Sequence, residues 1–302
     1  MSKKGMEFSF TWIFAAFAGA VIIFIAIYAV SAIINGAGDQ TNAELTKEFE
    51  ILLNPLGTNL EEGKQGTVKI NKETSIINEC DEDSIFGLQK LSVQVNENDV
   101  NANRQISQDK YVFSKNIIRS KEFYVFTKPL ELPYKIGDLN YIYVDQFCFV
   151  NPPESIEREI SSLNLKNINI TNNVNNCNRQ SISVCFSQEP VCKIIVDQLR
   201  KEITKDGQTI SYAGDELLYA GIFSDKAIYE CQIERINKRT NELSKIYSAK
   251  SAYMNGQGCT NGLADDLIQY SNLLSNNPSV SAVHTSSENL RRSNELLNCE
   301  IF

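Results

Sequence analysis

The 302-residue chain holds one histidine, one tryptophan and three methionines. A single imidazole excludes His-rich metal sites and leaves His284 as the sole candidate for any triad that needs a His base. Basic residues are in deficit, 29 against 37 acidic, giving a net charge of -8 and a pI near 5.0. That balance argues against nucleic acid and against anionic lipid as main partners. There is no G-x-S-x-G, no H-E-x-x-H, no P-loop and no G-x-G-x-x-G, so the common nucleophile, zincin and nucleotide signatures are missing. No C-x-x-C occurs either. The tightest cysteine spacings are Cys177-x₇-Cys185 and Cys185-x₆-Cys192, too wide for the pairs of zinc ribbons and fingers. No catalytic, cofactor-binding or metal-ligating residue is assigned, and no cofactor is expected.

What is present is a globular composition, 42% hydrophobic and 22% charged, in a 34.0 kDa chain. That is long enough to bury a sizeable core. Mean hydropathy is -0.24, so any membrane part must be local. Phe8–Ile34 contains no charged residue and as a helix would reach about 40 Å, enough to span a bilayer with tilt. Trp12 and Tyr28 lie toward its ends, Lys3 and Lys4 precede it, and Asp39 and Glu44 follow it. The positive-inside bias then places the N-terminus in the cytoplasm and the remainder outside the cell membrane. Asn35-Gly36-Ala37-Gly38 is a poor cleavage site, which favours an uncleaved single-pass signal-anchor. Ala15/Gly19 and Ala16/Ala20 are small-xxx-small pairs, a weak pointer to self-association.

The eight cysteines are Cys80, Cys148, Cys177, Cys185, Cys192, Cys231, Cys259 and Cys299. All lie on the expected outer side, where an even count reads as disulfides. Four bridges allow about 105 connectivities, so the pairing stays open. Cys177, Cys185 and Cys192 share one turn-rich stretch and suggest a local bridge. Cys231, Cys259 and Cys299 fall in a helical part and could lock helices together.

The patterning divides the chain into residues 1–35 (flank and membrane helix), 36–66 (a juxtamembrane helix over Thr41–Asn54), 67–213 (β-rich) and 214–302 (helical). Strand alternation marks Thr67–Ile70, Lys90–Val95 and Glu122–Thr127, and richness in aromatic and β-branched residues marks Tyr141–Val144 and Phe147–Val150; together they read as one antiparallel sheet. Asn96–Asn103 reads as a loop, Glu154–Leu163 as a helix after Pro152-Pro153, and the Asn-rich stretch up to Asn178 as an exposed loop. Strands return at Ser181–Phe186, Val191–Val196 and Gln208–Tyr212. Helices follow over Asp215–Phe223, from an Asp225 cap to Met254, and over Gly262–Leu274 and Ser286–Leu297. The expected fold class is therefore α+β: an N-terminal transmembrane helix, an antiparallel β-rich ectodomain and a C-terminal helical hairpin or bundle.

Other candidates read more simply as structure. His284 sits in a loop-like region, and Tyr111-x-x-x-Lys115 lacks any nucleotide-binding unit before it. Glu154, Glu157 and Glu159 complement a helix dipole. Asp81, Glu82 and Asp83 lack the spacing of a calcium loop. Tyr124, Phe126, Tyr141, Tyr143, Phe147 and Phe149 alternate as core positions. Asn169-Ile170-Thr171 is the one sequon and a glycosylation candidate on an exported protein.

Lys3-Lys4-Gly5-Met6-Glu7 ahead of an apolar helix resembles the class III signal of archaeal pilins. The resemblance implies processing between Gly5 and Met6 and packing of the helix into a filament. Phe10 stands where bacterial-type pilins carry Glu. The segments Phe8–Phe14, Phe147–Glu154, Tyr219–Asp225 and Tyr229–Ile233 are similar to an uncharacterised archaeal family of single-anchor exported proteins. That resemblance implies a surface location and no chemistry. The functional expectation is a non-enzymatic, membrane-anchored surface protein with a disulfide-braced ectodomain. It would bind an unidentified protein partner, self-associate or join an envelope assembly. A pilin-like accessory subunit is the alternative, and an exported hydrolase ranks third.

Overall fold

The computed structural model describes residues 20–27, 65–95, 103–187 and 191–302. Strands come first: β1 (Gln65–Asp81), β2 (Leu88–Val95), β3 (Asn103–Ser107), β4 (Tyr111–Phe113), β5 (Ile117–Glu131), β6 (Lys135–Tyr143) and β7 (Phe147–Val150). Helix α1 (Glu154–Ser162) follows, then β8 (Ile168–Thr171), β9 (Ile182–Cys185), β10 (Ile194–Asp197), β11 (Glu202–Lys205) and β12 (Gln208–Ser211). The chain ends in α2 (Gly214–Phe223), α3 (Lys226–Gly256), α4 (Leu263–Leu274) and α5 (Val280–Glu295).

The α+β character with C-terminal helices is as described, but the transmembrane element of the expected fold class is not found. Among the described residues no helix is long and apolar enough to cross a membrane. Only residues 20–27 of the Phe8–Ile34 run are described, as helix, and eight residues rise about 12 Å against a hydrocarbon core of about 30 Å. The rest of that run, the Gly5-Met6 processing site, the Thr41–Asn54 helix and residues 96–102 of the expected loop lie outside the described residues.

The strands form two six-stranded sheets rather than one antiparallel sheet, ordered β3-β2-β1-β5-β6-β4 and β12-β11-β10-β9-β7-β8. The first is antiparallel except for the parallel β4–β6 pair. The second is mixed: β8, β7, β9 and β10 pair in parallel, and only β10–β11–β12 are antiparallel. The physical reason for the parallel pair is α1. A helical crossover from β7 returns the chain to start β8 in the same direction, as a two-residue hairpin cannot.

Alternation along the strands feeds two cores. Val112, Ile142, Phe123 and Val125 point to one side with Val68, Ile76, Leu91 and Val93. Their neighbours Tyr111, Phe113, Tyr141, Tyr143 and Phe126 point to the other and meet α2, α3 and the second sheet. Both faces of β4 and β6 are thus covered, which is why Tyr111–Phe113 is buried at every position. The aromatic face is continuous: Phe126 stacks on Tyr141 at 4.4 Å between centroids, and Tyr143 on Phe223 at 4.8 Å.

Because β4 lies at a sheet end, its outer backbone edge needs other partners. Side-chain amides supply them. Gln89 Oε1 accepts from Val112 N–H at 3.2 Å, and Asn78 and Gln232 donate to Val112 O, each at 3.2 Å. Gln232 in turn donates to Gln89 Oε1 at 2.5 Å and accepts from Arg235. The first sheet therefore curls until β4 meets side chains of β1 and β2, with α3 closing the seam.

Several tyrosines are sealed in this packing. Burial raises the phenol pKa of Tyr141, Tyr219, Tyr229 and Tyr270. A folded pKa above the unfolded value, about 10, gives stability that is intact below pH ~10 and is lost as pH rises further. Lys205 acts in the opposite sense. Burial pulls it from 10.5 down to about 8, so its share of stability rises with pH between those two values. Four phenols outweigh one amine. The urea midpoint is expected to fall above about pH 10, with near-ultraviolet phenolate absorbance from these four emerging together with unfolding. Their ionisation in a chain that stays folded would contradict this.

Candidate functional site

Every sequence-predicted cysteine is paired, and no free cysteine occurs among the described residues. The bridges are Cys80–Cys231, Cys148–Cys177, Cys185–Cys192 and Cys259–Cys299. The local bridge of the turn-rich stretch is Cys185–Cys192, and Cys259–Cys299 ties the C-terminal tail to the end of α3. Cys231 differs from expectation. It locks α3 to β1 rather than to another helix, because the first half of α3 lies across the first sheet.

Asn169 is exposed on β8, an edge strand of the second sheet, in a stretch expected to be a loop. Ile168 and Ile170 supply the strand signal there, and the Asn-rich surroundings hide it. His284 belongs to α5, which starts at Val280 behind a Ser279 cap, and not to a loop; it is half-buried. Tyr111 and Lys115 separate: the first lies buried under Arg235, with 5.0 Å from guanidinium to ring centroid, and the second pairs with Asp145 at 2.7 Å. Glu159 meets Lys128 at 2.5 Å, and Glu216 meets the same ammonium at 3.3 Å. Burial works against the Lys128 charge, but Glu216 and Glu159 outweigh it and hold the pKa above the ordinary lysine value. This triad links β5, α1 and α2.

The acids Asp81, Glu82 and Asp83 do converge on a feature. Glu82 and Asp83 line an open groove of about 1020 Å³. Its other walls are α3, the α4–α5 turn and β12. Ile210, Ile233, Leu274 and Val280 supply apolar surface, and Glu230 and Glu234 extend the acidic rim. The cation lining it is Lys238, already engaged with the Glu82 carbonyl and, at 3.9 Å, with Glu234. A second hollow of about 730 Å³ adjoins it, sharing Glu82, Asp83 and Glu230 and reaching the Cys80–Cys231 bridge. Asp81 lies there beside Lys90 at 2.6 Å, and that hydrogen bond lowers its carboxyl pKa. No group of three His, Cys, Asp or Glu side chains suited to a metal ion occurs among the described residues.

Sequence reasoning missed the groove because its rim joins residues some 150 positions apart, Glu82 and Glu234. The available signal was an i, i+4 pair of acids, Glu230 and Glu234, on the predicted long helix, which places both on one face.

The rim is held in place from beneath. Arg235, fully buried, donates to the carbonyls of Phe86 at 3.3 Å, Lys110 at 2.8 Å, Ser107 at 3.4 Å and Gln108 at 3.1 Å, and to Gln232 Oε1 at 2.7 Å. Gly87 admits this arrangement. Its φ is +63°, and a Cβ there would lie 2.4 Å from Arg235 Cγ, so a side chain is excluded on two counts. One guanidinium thereby ties the β1–β2 loop, which carries Glu82 and Asp83 of the rim, to the β3–β4 turn.

Compared with protein-family models, curated proteins and solved structures, the chain matches none.

Proposed function

We propose that this is an exported, disulfide-braced protein that works by binding a partner at the acidic groove and not by catalysis. The observation that carries the reading is the groove itself: a broad open hollow lined by polar and apolar residues together, with a carboxylate rim. Its rim is fixed by a buried arginine and a long-range disulfide. Tyr134, Tyr141, Tyr219 and Lys205, all strongly displaced by burial, lie elsewhere in the core, and Tyr229, which lines the groove, has its phenol raised by burial and committed to the Ser211 carbonyl. A broad surface of this kind suits recognition of a macromolecule. Four disulfides support an oxidising compartment.

Two measurements on the protein in its own cells test this. Photo-crosslinking phenylalanines at Asn277, on the groove wall, and at Leu199, exposed and remote, should give a protein adduct from the first and not from the second. Intact mass after alkylation without reductant should show no modified thiol. Eight modified thiols would overturn the export reading. Absence of any groove adduct from the oxidised, folded protein would overturn the binding reading.

A further inference from the structure

One wall of the groove is the edge of a sheet. Strand β12 is the last strand of the second sheet and has a neighbour on one side only. Its register with β11 pairs Lys205 with Gln208, Thr204 with Thr209, Ile203 with Ile210 and Glu202 with Ser211. Tyr212 N–H donates to Lys201 O at 2.9 Å, which makes that pair a hydrogen-bonded one. Bonded and non-bonded pairs alternate in an antiparallel ladder. Ile203–Ile210 and Lys205–Gln208 are therefore the bonded pairs, consistent with the Asp206-Gly207 turn, whose two residues both have positive φ. Thr209 and Ser211 consequently turn their N–H and C=O groups away from β11. Tyr229 Oη donates to the Ser211 carbonyl at 2.8 Å. The Thr209 N–H, the Thr209 carbonyl and the Ser211 N–H remain without a partner among the described residues. Both residues are exposed and line the groove.

The protein treats its edges unequally. The outer edge of β4 is closed by Gln89, Asn78 and Gln232, whereas on β12 Tyr229 covers the Ser211 carbonyl and the Thr209 N–H, Thr209 carbonyl and Ser211 N–H open onto an acidic rim. An unpaired edge is a template for another strand. A second copy of this chain is a poor occupant, because each copy would bring its own carboxylate rim to the same place in a chain of net charge -8. Charge complementarity selects a basic segment. Alternate side chains of an added strand face opposite sides of the sheet, so apolar residues at every second position meet the Ile210 side and basic ones meet the rim.

We infer that the groove is a strand-addition site, in which an extended basic segment of a partner protein, alternating apolar and cationic residues, pairs with the free edge of β12. This rests on the binding reading above and adds the chemistry of the partner.

The probe is a short capped peptide alternating Lys and Val, added to the full chain. It should bind and protect the Thr209 and Ser211 amides from hydrogen exchange. A Glu/Val peptide, or the Lys/Val peptide N-methylated at alternate residues, should bind at least about tenfold more weakly. Thr209→Pro removes an N–H that β11 does not use, at an edge position where proline is tolerated. It should also weaken binding at least about tenfold while leaving the thermal transition in place. Binding that is equal for the N-methylated peptide, or that leaves both amides unprotected, overturns strand addition. No binding of the Lys/Val peptide, while the Asn277 crosslink persists in cells, overturns the basic-segment inference and leaves the binding reading standing. Loss of both removes the two together. Concentration-dependent dimerisation abolished by Thr209→Pro would assign the edge to a second copy and overturn the inference.

Discussion

Replacing Arg235 by methionine is expected to lower the stability of the folded chain by about 3–5 kcal/mol. Methionine matches much of the volume, so the cavity contribution is small and the loss is electrostatic. Among the described residues the guanidinium forms no salt bridge with a carboxylate, although Asp109 acts on it from a distance. Its charge is balanced by four backbone carbonyls, by Gln232 Oε1 and by the face of Tyr111. Burial pulls its pKa down, yet an arginine stays protonated, so the site is built around a permanent cation. Without it several acceptors face a dry interior, and each unpaired group costs on the order of 1–3 kcal/mol before relaxation. Gln232 also loses the donor that orients it, and through Gln89 and Asn78 the disturbance reaches the edge of β4. Arg235→Lys should recover less than half of the loss, because one ammonium cannot reproduce a planar fork that reaches loops on both sides. The comparison is made by urea unfolding of the three proteins at neutral pH. A loss under about 1 kcal/mol for Arg235→Met would mean that water replaces the guanidinium and that the loops hold themselves. Because the β1–β2 loop held through Phe86 O carries Glu82 and Asp83, amide exchange over residues 82–87 should rise in the methionine variant before global unfolding does.

That arginine also marks how far the sequence could be read. On the predicted helix, Ile228, Cys231, Arg235, Leu243, Ile246 and Tyr253 fall on one stripe opposite charged residues. The first three do pack inward, but Ile246 and Tyr253 are exposed, at 62% and 67%. The helix outruns the sheet on which its first half lies, and periodicity cannot say where a neighbouring element ends. Tyr141–Val144 and Phe147–Val150 were legible from their richness in aromatic and β-branched residues, although Phe147–Val150 is buried at every position and shows no alternation. Tyr111–Phe113 was not, since three residues buried on both faces carry no period. Glu202–Lys205 was hidden by its charged ends, although the Asp206-Gly207 dipeptide beside it is a strong hairpin signal. Asp225 is at the predicted N-cap, but its carboxylate accepts the Asn116 amide at 2.7 Å instead of capping its own helix. The groove was legible only as separate runs of acids. Bringing Glu82 beside Glu234 takes the curl of the first sheet and the crossing of α3, and neither leaves a local trace.

The four disulfides are expected to differ in worth in the order of the loops they close. Chain-entropy scaling gives about 5 kcal/mol for Cys80–Cys231, about 4 for Cys259–Cys299, somewhat less for Cys148–Cys177 and about 2.5 for Cys185–Cys192. The sequence separations behind this order are 151, 40, 29 and 7. Two of the shorter bridges lie inside the longest loop and shorten it in effect. Because the dependence is logarithmic, this removes only a few tenths of a kcal/mol. Double Cys→Ala variants, one bridge at a time, measured by urea unfolding, give the order directly. A Cys80/Cys231 variant less destabilised than the Cys185/Cys192 variant would mean that the unfolded chain is already ordered near those residues and that loop length does not set the cost. The longest bridge also has a local consequence. Cys80 precedes the Asp81–Asp83 acids and Cys231 follows Glu230, so the bond joins the two sources of the rim carboxylates across the smaller hollow. Its removal should therefore weaken the Lys/Val peptide as well as the fold, under conditions where the variant remains folded. Removal of Cys259–Cys299, which borders neither hollow, should lower stability and leave that affinity unchanged. Equal affinity in both variants would assign the shape of the rim to Arg235 alone.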